Sequence, residues 1–253
     1  MKPDNPIILA LDFSELQEAR TVLERVRPHI GMIKIGLELF TSHGREALEL
    51  SSDYTIPIFL DLKLYDVPTT VAKTTSSVCS LLAQHPGPHF LSIHCLGGRD
   101  MCKAALEASM GSNVTIAGVT VLTSLTERDF SRLGYSDRRP GPRTIDSADI
   151  GIDCMNTQAQ YDAQNKRIYN GLTHFICAPN QVPLMKSHFE DAILITPGIR
   201  AEGDETNDHA RTKPAGFALK SGASWIVVGR PITKATDPRD AAFYFEQQAK
   251  KYG

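Results

Sequence analysis

Nowhere in the sequence do about 18 apolar residues run together, the least that a membrane-crossing helix needs, so no membrane association of that kind is expected. An excess of charge is missing too: 27 Lys and Arg stand against 29 Asp and Glu, a formal net charge of −2, and no basic run forms a stripe for a polyanion. Nucleic-acid binding is therefore not expected, and any recognition of phosphate has to be local. Cysteine is scarce and odd in number. The five, Cys79, Cys95, Cys102, Cys154 and Cys177, contain no C-x-x-C pair, which argues against a disulfide framework or a zinc knuckle and for a reducing cytoplasm. Met1-Lys2-Pro3-Asp4-Asn5-Pro6 shows no signal-peptide pattern, so a soluble cytoplasmic protein is the expectation.

What is present is alternation. Eight short apolar runs, at Ile7 to Leu11, Met32 to Gly36, Ile56 to Leu60, Phe90 to His94, Val114 to Leu122, His174 to Ala178, Ala192 to Thr196 and Ser224 to Gly229, read as strands buried on both faces. Helical patterns fill most gaps. Ser14-Glu15-Leu16-Gln17 reads as a capping box ahead of Leu16, Ala19, Leu23 and Val26, and Pro28 ends that helix. Further amphipathic stretches run from about Leu37 to Leu50, Thr69 to Ala83, Asp100 to Met110, Pro214 to Lys220 and Asp240 to Lys250.

An open doubly wound sheet shares this alternation, and the polar residues decide between the two. Asp12, Lys34, Asp61 with Lys63, His94, Thr123, and Gly229 with Arg230 fall at the C-terminal ends of their strands, where a closed barrel collects its chemistry around one mouth. The expected architecture is a single α/β domain over residues 1–253, a (β/α)8 TIM barrel. A long polar segment at about 131–167 interrupts the spacing; it reads as a surface insertion, with a lid or subunit contact as the alternative.

The sharpest local signal is Asp61-Leu62-Lys63-Leu64-Tyr65-Asp66 directly after an apolar strand. On an extended segment positions 61 and 63 point the same way, and a buried acid and base there compensate each other's desolvation, with Lys34 joining from the second strand. A salt-bridge network that merely closes the barrel is the alternative; the strand-end position favours catalysis. After the eighth strand, Gly229-Arg230 offers a close backbone approach and a bidentate guanidinium to a phosphate. His94-Cys95 has no second ligand or base at useful spacing, so no metal and no thiol nucleophile is expected there. Gly97-Gly98 reads as a turn, and Trp225 as packing.

The segment Ile58 to Thr70 resembles the signature of the orotidine 5′-phosphate decarboxylase family. Similar motifs follow in family order at Ala10 to Phe13, Ile33 to Phe40, Val119 to Ser124, Thr196 to Arg200 and Val228 to Thr233. The resemblance implies a cofactor-free, metal-free carboxy-lyase that converts orotidine 5′-phosphate to UMP and CO2, the last step of de novo UMP synthesis. It implies Lys63 as proton donor to C6, Asp61 beside the leaving carboxylate, and Lys34 and Asp66 completing the charge array. Asp66 and Thr70 would reach the neighbouring site of a homodimer. Asp12 would bind ribose, Thr123 the pyrimidine edge, and Arg200, Gly229 and Arg230 the phosphate.

The sequence departs from the family in one place. Asp208-His209-Ala210-Arg211 stands where many bacterial members have Asp-Gln before a basic residue, so His209 either replaces the glutamine as a ligand contact or falls short of the ligand. Two other functions are weighed: a magnesium-dependent sugar-phosphate enzyme sharing the Asp-x-Lys-x-x-Asp core, and a nucleotide-binding barrel without turnover. The Asp66 to Thr70 and Leu122 to Ser124 segments favour the nucleotide enzyme over the first, and the intact Lys34, Asp61, Lys63 and Asp66 set argues against the second.

Overall fold

The apolar runs fold as strands covered on both sides, and the computed structural model describes residues 3–125, 129, 148–149, 151–152, 154, 160–161, 167–168, 170–201 and 212–253 of the chain. In chain order the strands are β1 (Ile7–Ala10), β2 (Met32–Gly36), β3 (Ile58–Leu64), β4 (His89–His94), β5 (Val114–Val119), β6 (Gln160–Tyr161), β7 (Arg167–Ile168), β8 (His174–Ile176), β9 (Ile193–Thr196), β10 (Ile199–Arg200), β11 (Lys213–Pro214) and β12 (Trp225–Val228). Eight of them, β1, β2, β3, β4, β5, β8, β9 and β12, pair in parallel in that order, and β12 returns to β1 to close the barrel. The sheet is closed, so the doubly wound alternative is excluded.

Strand alternation sorts the core into two layers. Ile8, Ala10, Met32, Phe59, Phe90, Ala117, Val119, Ile176, Ile195 and Val227 fill the barrel interior. Their neighbours Ile7, Leu9, Ile33, Ile35, Ile58, Leu60, Leu91 and Ile93 join the larger core under the helices. Phe90 sets the interior floor, meeting Phe59 edge-on at 6.1 Å and Trp225 at 5.6 Å, which makes Trp225 the packing residue expected of it.

Several local expectations are corrected. The first helix, Leu16–Val26, is entered through an extended Glu15 and makes no side-chain cap hydrogen bond, so Ser14 is not its cap; its anchor is the buried stripe Ala19, Leu23 and Val26. The stretch from Leu37 divides into helix Leu37–His43, a tight turn Gly44–Leu48 and helix Glu49–Tyr54, because Gly44 leaves the helical region at φ +54. A helix not foreseen, Val182–His188, precedes β9. Ala148, Ile152 and Cys154, inside the 131–167 segment, are buried in the main core, so part of that segment covers the barrel instead of lying on its surface. Gly98, at φ +90, makes the turn into helix Arg99–Ser109 as expected.

Two histidines, His89 buried and His174 half-buried, are held as neutral groups. The Nδ1 of His89 accepts from the Ile58 amide at 3.1 Å and its Nε2 faces the His85 carbonyl at 3.2 Å, which places the proton on Nε2. Burial lowers the pKa of His89, and it lowers that of His174, packed on Phe90 at 5.3 Å, to about 4. Below its ordinary value of 6.5 the unfolded chain therefore binds a proton at His174 that the folded chain refuses. This contribution to stability is fully present above about pH 6.5 and is lost as pH falls toward 4. Urea midpoints should accordingly be lower at pH 4.5 than at pH 7, and His174→Gln should flatten the difference. An unchanged pH slope in that variant would refute the assignment.

Candidate active site

The inward rows that make the apolar interior continue upward into charge. Met32 is followed two residues later by Lys34, Phe59 by Asp61, Phe90 by Ser92, and Ala10 by Asp12, so four strands raise polar groups over one floor. The groups meet. Lys34 Nζ lies 2.9 Å from Asp12 Oδ1 and 3.7 Å from Asp61 Oδ2, and Lys63 Nζ lies 2.7 Å from the same Asp61 oxygen. Ser92 Oγ donates to the other oxygen, Asp61 Oδ1, at 2.8 Å.

Asp61 is only 7% exposed. Burial pushes its pKa up, but the ammonium groups of Lys34 and Lys63, with hydrogen bonds from Lys63 and Ser92, outweigh burial and hold the carboxyl below the ordinary carboxylate range. It is therefore a carboxylate at neutral pH, clamped on both oxygens. His94, whose ring stands 5.6 Å from that of Tyr65, has its pKa lowered by burial and then by Lys63, against Asp61. It enters the site as a neutral imidazole, not a third cation.

The backbone under Lys63 is unusual. Its φ is +50, one of two such values on non-glycine residues among those described, and the pairing of β3 with β4 loses register between Leu60 and Leu64. Simple alternation predicts that Asp61 and Lys63 point the same way; they do meet, but through a bulge that turns the lysine back over the aspartate. The Lys63 amide, freed from the ladder, donates to Ser92 Oγ at 2.8 Å. Gly36 makes room on the other side: a Cβ there would lie 2.9 Å from Lys34 Nζ. Ser92 and Gly36 were not among the foreseen site residues. Their visible signals are a small polar residue at an inward position of an apolar strand, and a glycine two positions beyond an inward lysine.

Beside the array lies a cleft of about 200 Å³ whose walls include Asp12, Lys34, Thr123, Arg200, Gly229 and Arg230, the residues expected to bind the ligand. Gly198, at φ +82, turns the chain from β9 into β10, which carries Arg200 to this wall. A second cavity of about 250 Å³ sits at the opposite end of the barrel between Pro3, Pro6 and the last helix, Pro238–Tyr252. Its Glu246 is already engaged by His29 and Lys250, so the mouth, not this cavity, is where acid, base and cleft converge.

Known proteins resemble this chain in sequence and in fold. A sequence model described as "Orotidine 5′-phosphate decarboxylase / HUMPS family" matches residues 5–243. The chain belongs to that family. Orotidine 5′-phosphate decarboxylase from Erythrobacter litoralis is 35% identical over 94% of this chain and 96% of its own length. The enzyme of the same name from Ehrlichia canis is 37% identical over 92% and 93%, and that from Thermobifida fusca 35% over 98% and 97%. The crystal structure of orotidine 5′-phosphate decarboxylase from Lactobacillus acidophilus superposes with a TM-score of 0.75 at 28% identity, covering 97% of this chain and 99% of that one.

Not every residue implied by the family resemblance stands in the array. Asp66 and Thr70 are exposed, and Asp66 Oδ1 accepts from the neighbouring Val67 amide at 2.6 Å. His209, with Asp208 and Arg211, lies outside the described residues.

Proposed function

We propose that this chain is a carboxy-lyase that converts orotidine 5′-phosphate to UMP and CO2, the last step of UMP synthesis. The observation that carries the reading is the Lys34, Asp61 and Lys63 array placed at the edge of a cleft lined by Arg200 and Arg230. Breaking the bond from C6 to the carboxylate releases CO2 and leaves an electron pair on C6 that the pyrimidine ring does not delocalise. A fixed ammonium answers that charge where it forms, and preorganised groups of this kind supply much of an enzyme's rate. Lys63 then transfers a proton to C6, completing UMP, and regains one from solvent.

In the same reading Asp61 stands next to the leaving carboxylate and Lys34 holds Asp61 and Asp12 in place. Asp12 binds the ribose and Thr123 the pyrimidine edge; Arg200, Gly229 and Arg230 take the phosphate, with His209 approaching from the phosphate side. Asp66 and Thr70 serve the other site of a homodimer. The chain is taken as one barrel domain with residues 131–167 inserted, a reading supported by barrel strands running from Ile7 to Val228. No helix among the described residues is long and apolar enough to cross a membrane.

The ultraviolet absorbance change from orotidine 5′-phosphate to UMP, followed with purified, chelator-treated protein, tests this directly. Rapid turnover without added metal is the expected result. Absence of turnover, restored on a sugar phosphate by magnesium, would move the chain to the other branch of its family. Tight UMP binding with no product under any condition would make it a binding protein.

A further inference from the structure

We infer that Ser92 is a positioning residue of the reaction, a hydroxyl that holds both the strained lysine backbone and the carboxylate facing it; the inference rests on the decarboxylase reading above. Ser92 is fully buried on β4, between Leu91 and Ile93 of the main core and two residues above Phe90 of the barrel floor. A hydroxyl has one proton to give. Its oxygen accepts the Lys63 amide at 2.8 Å, so its proton is directed to Asp61 Oδ1, also at 2.8 Å. One atom thus ties two charged residues that are themselves in contact at 2.7 Å.

Each tie has a separate consequence. A non-glycine residue at φ +50 is disfavoured by the contact of its Cβ with the backbone and persists only where its surroundings hold it. The amide that this turn removes from the ladder finds its acceptor in Ser92, so the bulge that aims the ammonium is completed by the serine. At Asp61 the two ammonium groups approach Oδ2, which leaves Oδ1 to the hydroxyl. Without that donor the carboxylate has a buried oxygen lacking a partner and is free to rotate toward the lysines. Rotation would draw Lys63 away from the line on which it must deliver its proton. Binding of the ribose and phosphate does not depend on either tie, because Asp12, Arg200 and Arg230 lie along the adjoining cleft.

The prediction is a split between rate and binding. Hydrogen bonds to charged groups have energies that correspond to about a ten- to hundredfold change in rate. Ser92→Ala should lower kcat by that factor while KM for orotidine 5′-phosphate and the Kd for UMP change by less than about threefold. Ser92→Thr, which keeps the hydroxyl, should recover most of the rate. A general packing defect would instead lower thermal stability without this split and without rescue. Exchange of the Lys63 amide, read by NMR on the UMP complex, should be faster in Ser92→Ala and return toward normal in Ser92→Thr. Wild-type kcat in Ser92→Ala overturns the inference, as does unchanged exchange at Lys63. A wild-type protein that turns over no orotidine 5′-phosphate fails the decarboxylase reading instead, and the amide exchange then tests whether Ser92 holds the bulge.

Discussion

Lys63→Ala is expected to lower kcat on the order of a thousandfold or more while UMP still binds, with fluorescence or calorimetric titration and steady-state absorbance assays as the two measurements. The magnitude follows from the two tasks that the proposed mechanism assigns to one ammonium, stabilising the charge that forms on C6 and then supplying its proton. The substitution is a clean one for this position. Alanine keeps the Cβ, so the cost of φ +50 is the same in both proteins and the comparison isolates the ammonium. Asp61 retains Lys34 at 3.7 Å and Ser92 at 2.8 Å, so the carboxylate keeps a cation and a donor after Lys63 is gone. The cleft residues Asp12, Arg200 and Arg230 are untouched, which is why affinity for the product should survive. A variant with kcat within tenfold of wild type would remove Lys63 from the mechanism.

Much of this site is readable before any coordinates, for a definite reason. Strands buried on both faces show as apolar runs, and a charge at the end of such a run has nowhere to point except the mouth or the helix layer; Lys34, Asp61 and Asp12 are legible on that rule. The rule fails where the backbone leaves its regular form. Alternation from Asp61 to Lys63 gives the right meeting for an incomplete reason, because the bulge and the positive φ at Lys63 leave no mark in Asp-Leu-Lys. Ser92 is hidden by its size: a serine inside Phe-Leu-Ser-Ile interrupts an apolar pattern too little to stand out, although its inward position decides its role. The helix Val182–His188 is too short to display a period and carries a proline, Pro183, as its second residue, and the break at Gly44 lies inside a stretch whose apolar spacing suits one helix. The 131–167 segment looks polar because its buried hydrophobic residues among those described, Ala148, Ile152 and Cys154, fall in one short stretch interrupted by Asp149 and Asp153.

Asp66 and Thr70, proposed to serve the other site of a homodimer, show a different limit, since a single chain does not display what a second copy would add. Both are exposed, and the two residues flanking Asp66 in the chain are exposed apolar groups, Tyr65 at 62% and Val67 at 58%. Exposed large apolar groups gathered beside a charged residue are the mark of a surface meant to be covered. Among the described residues no cation of its own chain is paired with Asp66, and only Oδ1 is engaged, by the Val67 amide. If the site is shared across a twofold dimer, two inactive variants must rescue each other. Lys63→Ala and Asp66→Asn, each nearly inactive alone, should regain activity when mixed in equal amounts and allowed to exchange subunits. Half of the dimers are then mixed, and each mixed dimer holds one site with both substitutions and one with neither. About a quarter of the wild-type activity is the expected recovery. If Asp66 serves its own chain, every mixed site carries one substitution and no recovery occurs, so a flat result would sink the shared-site reading.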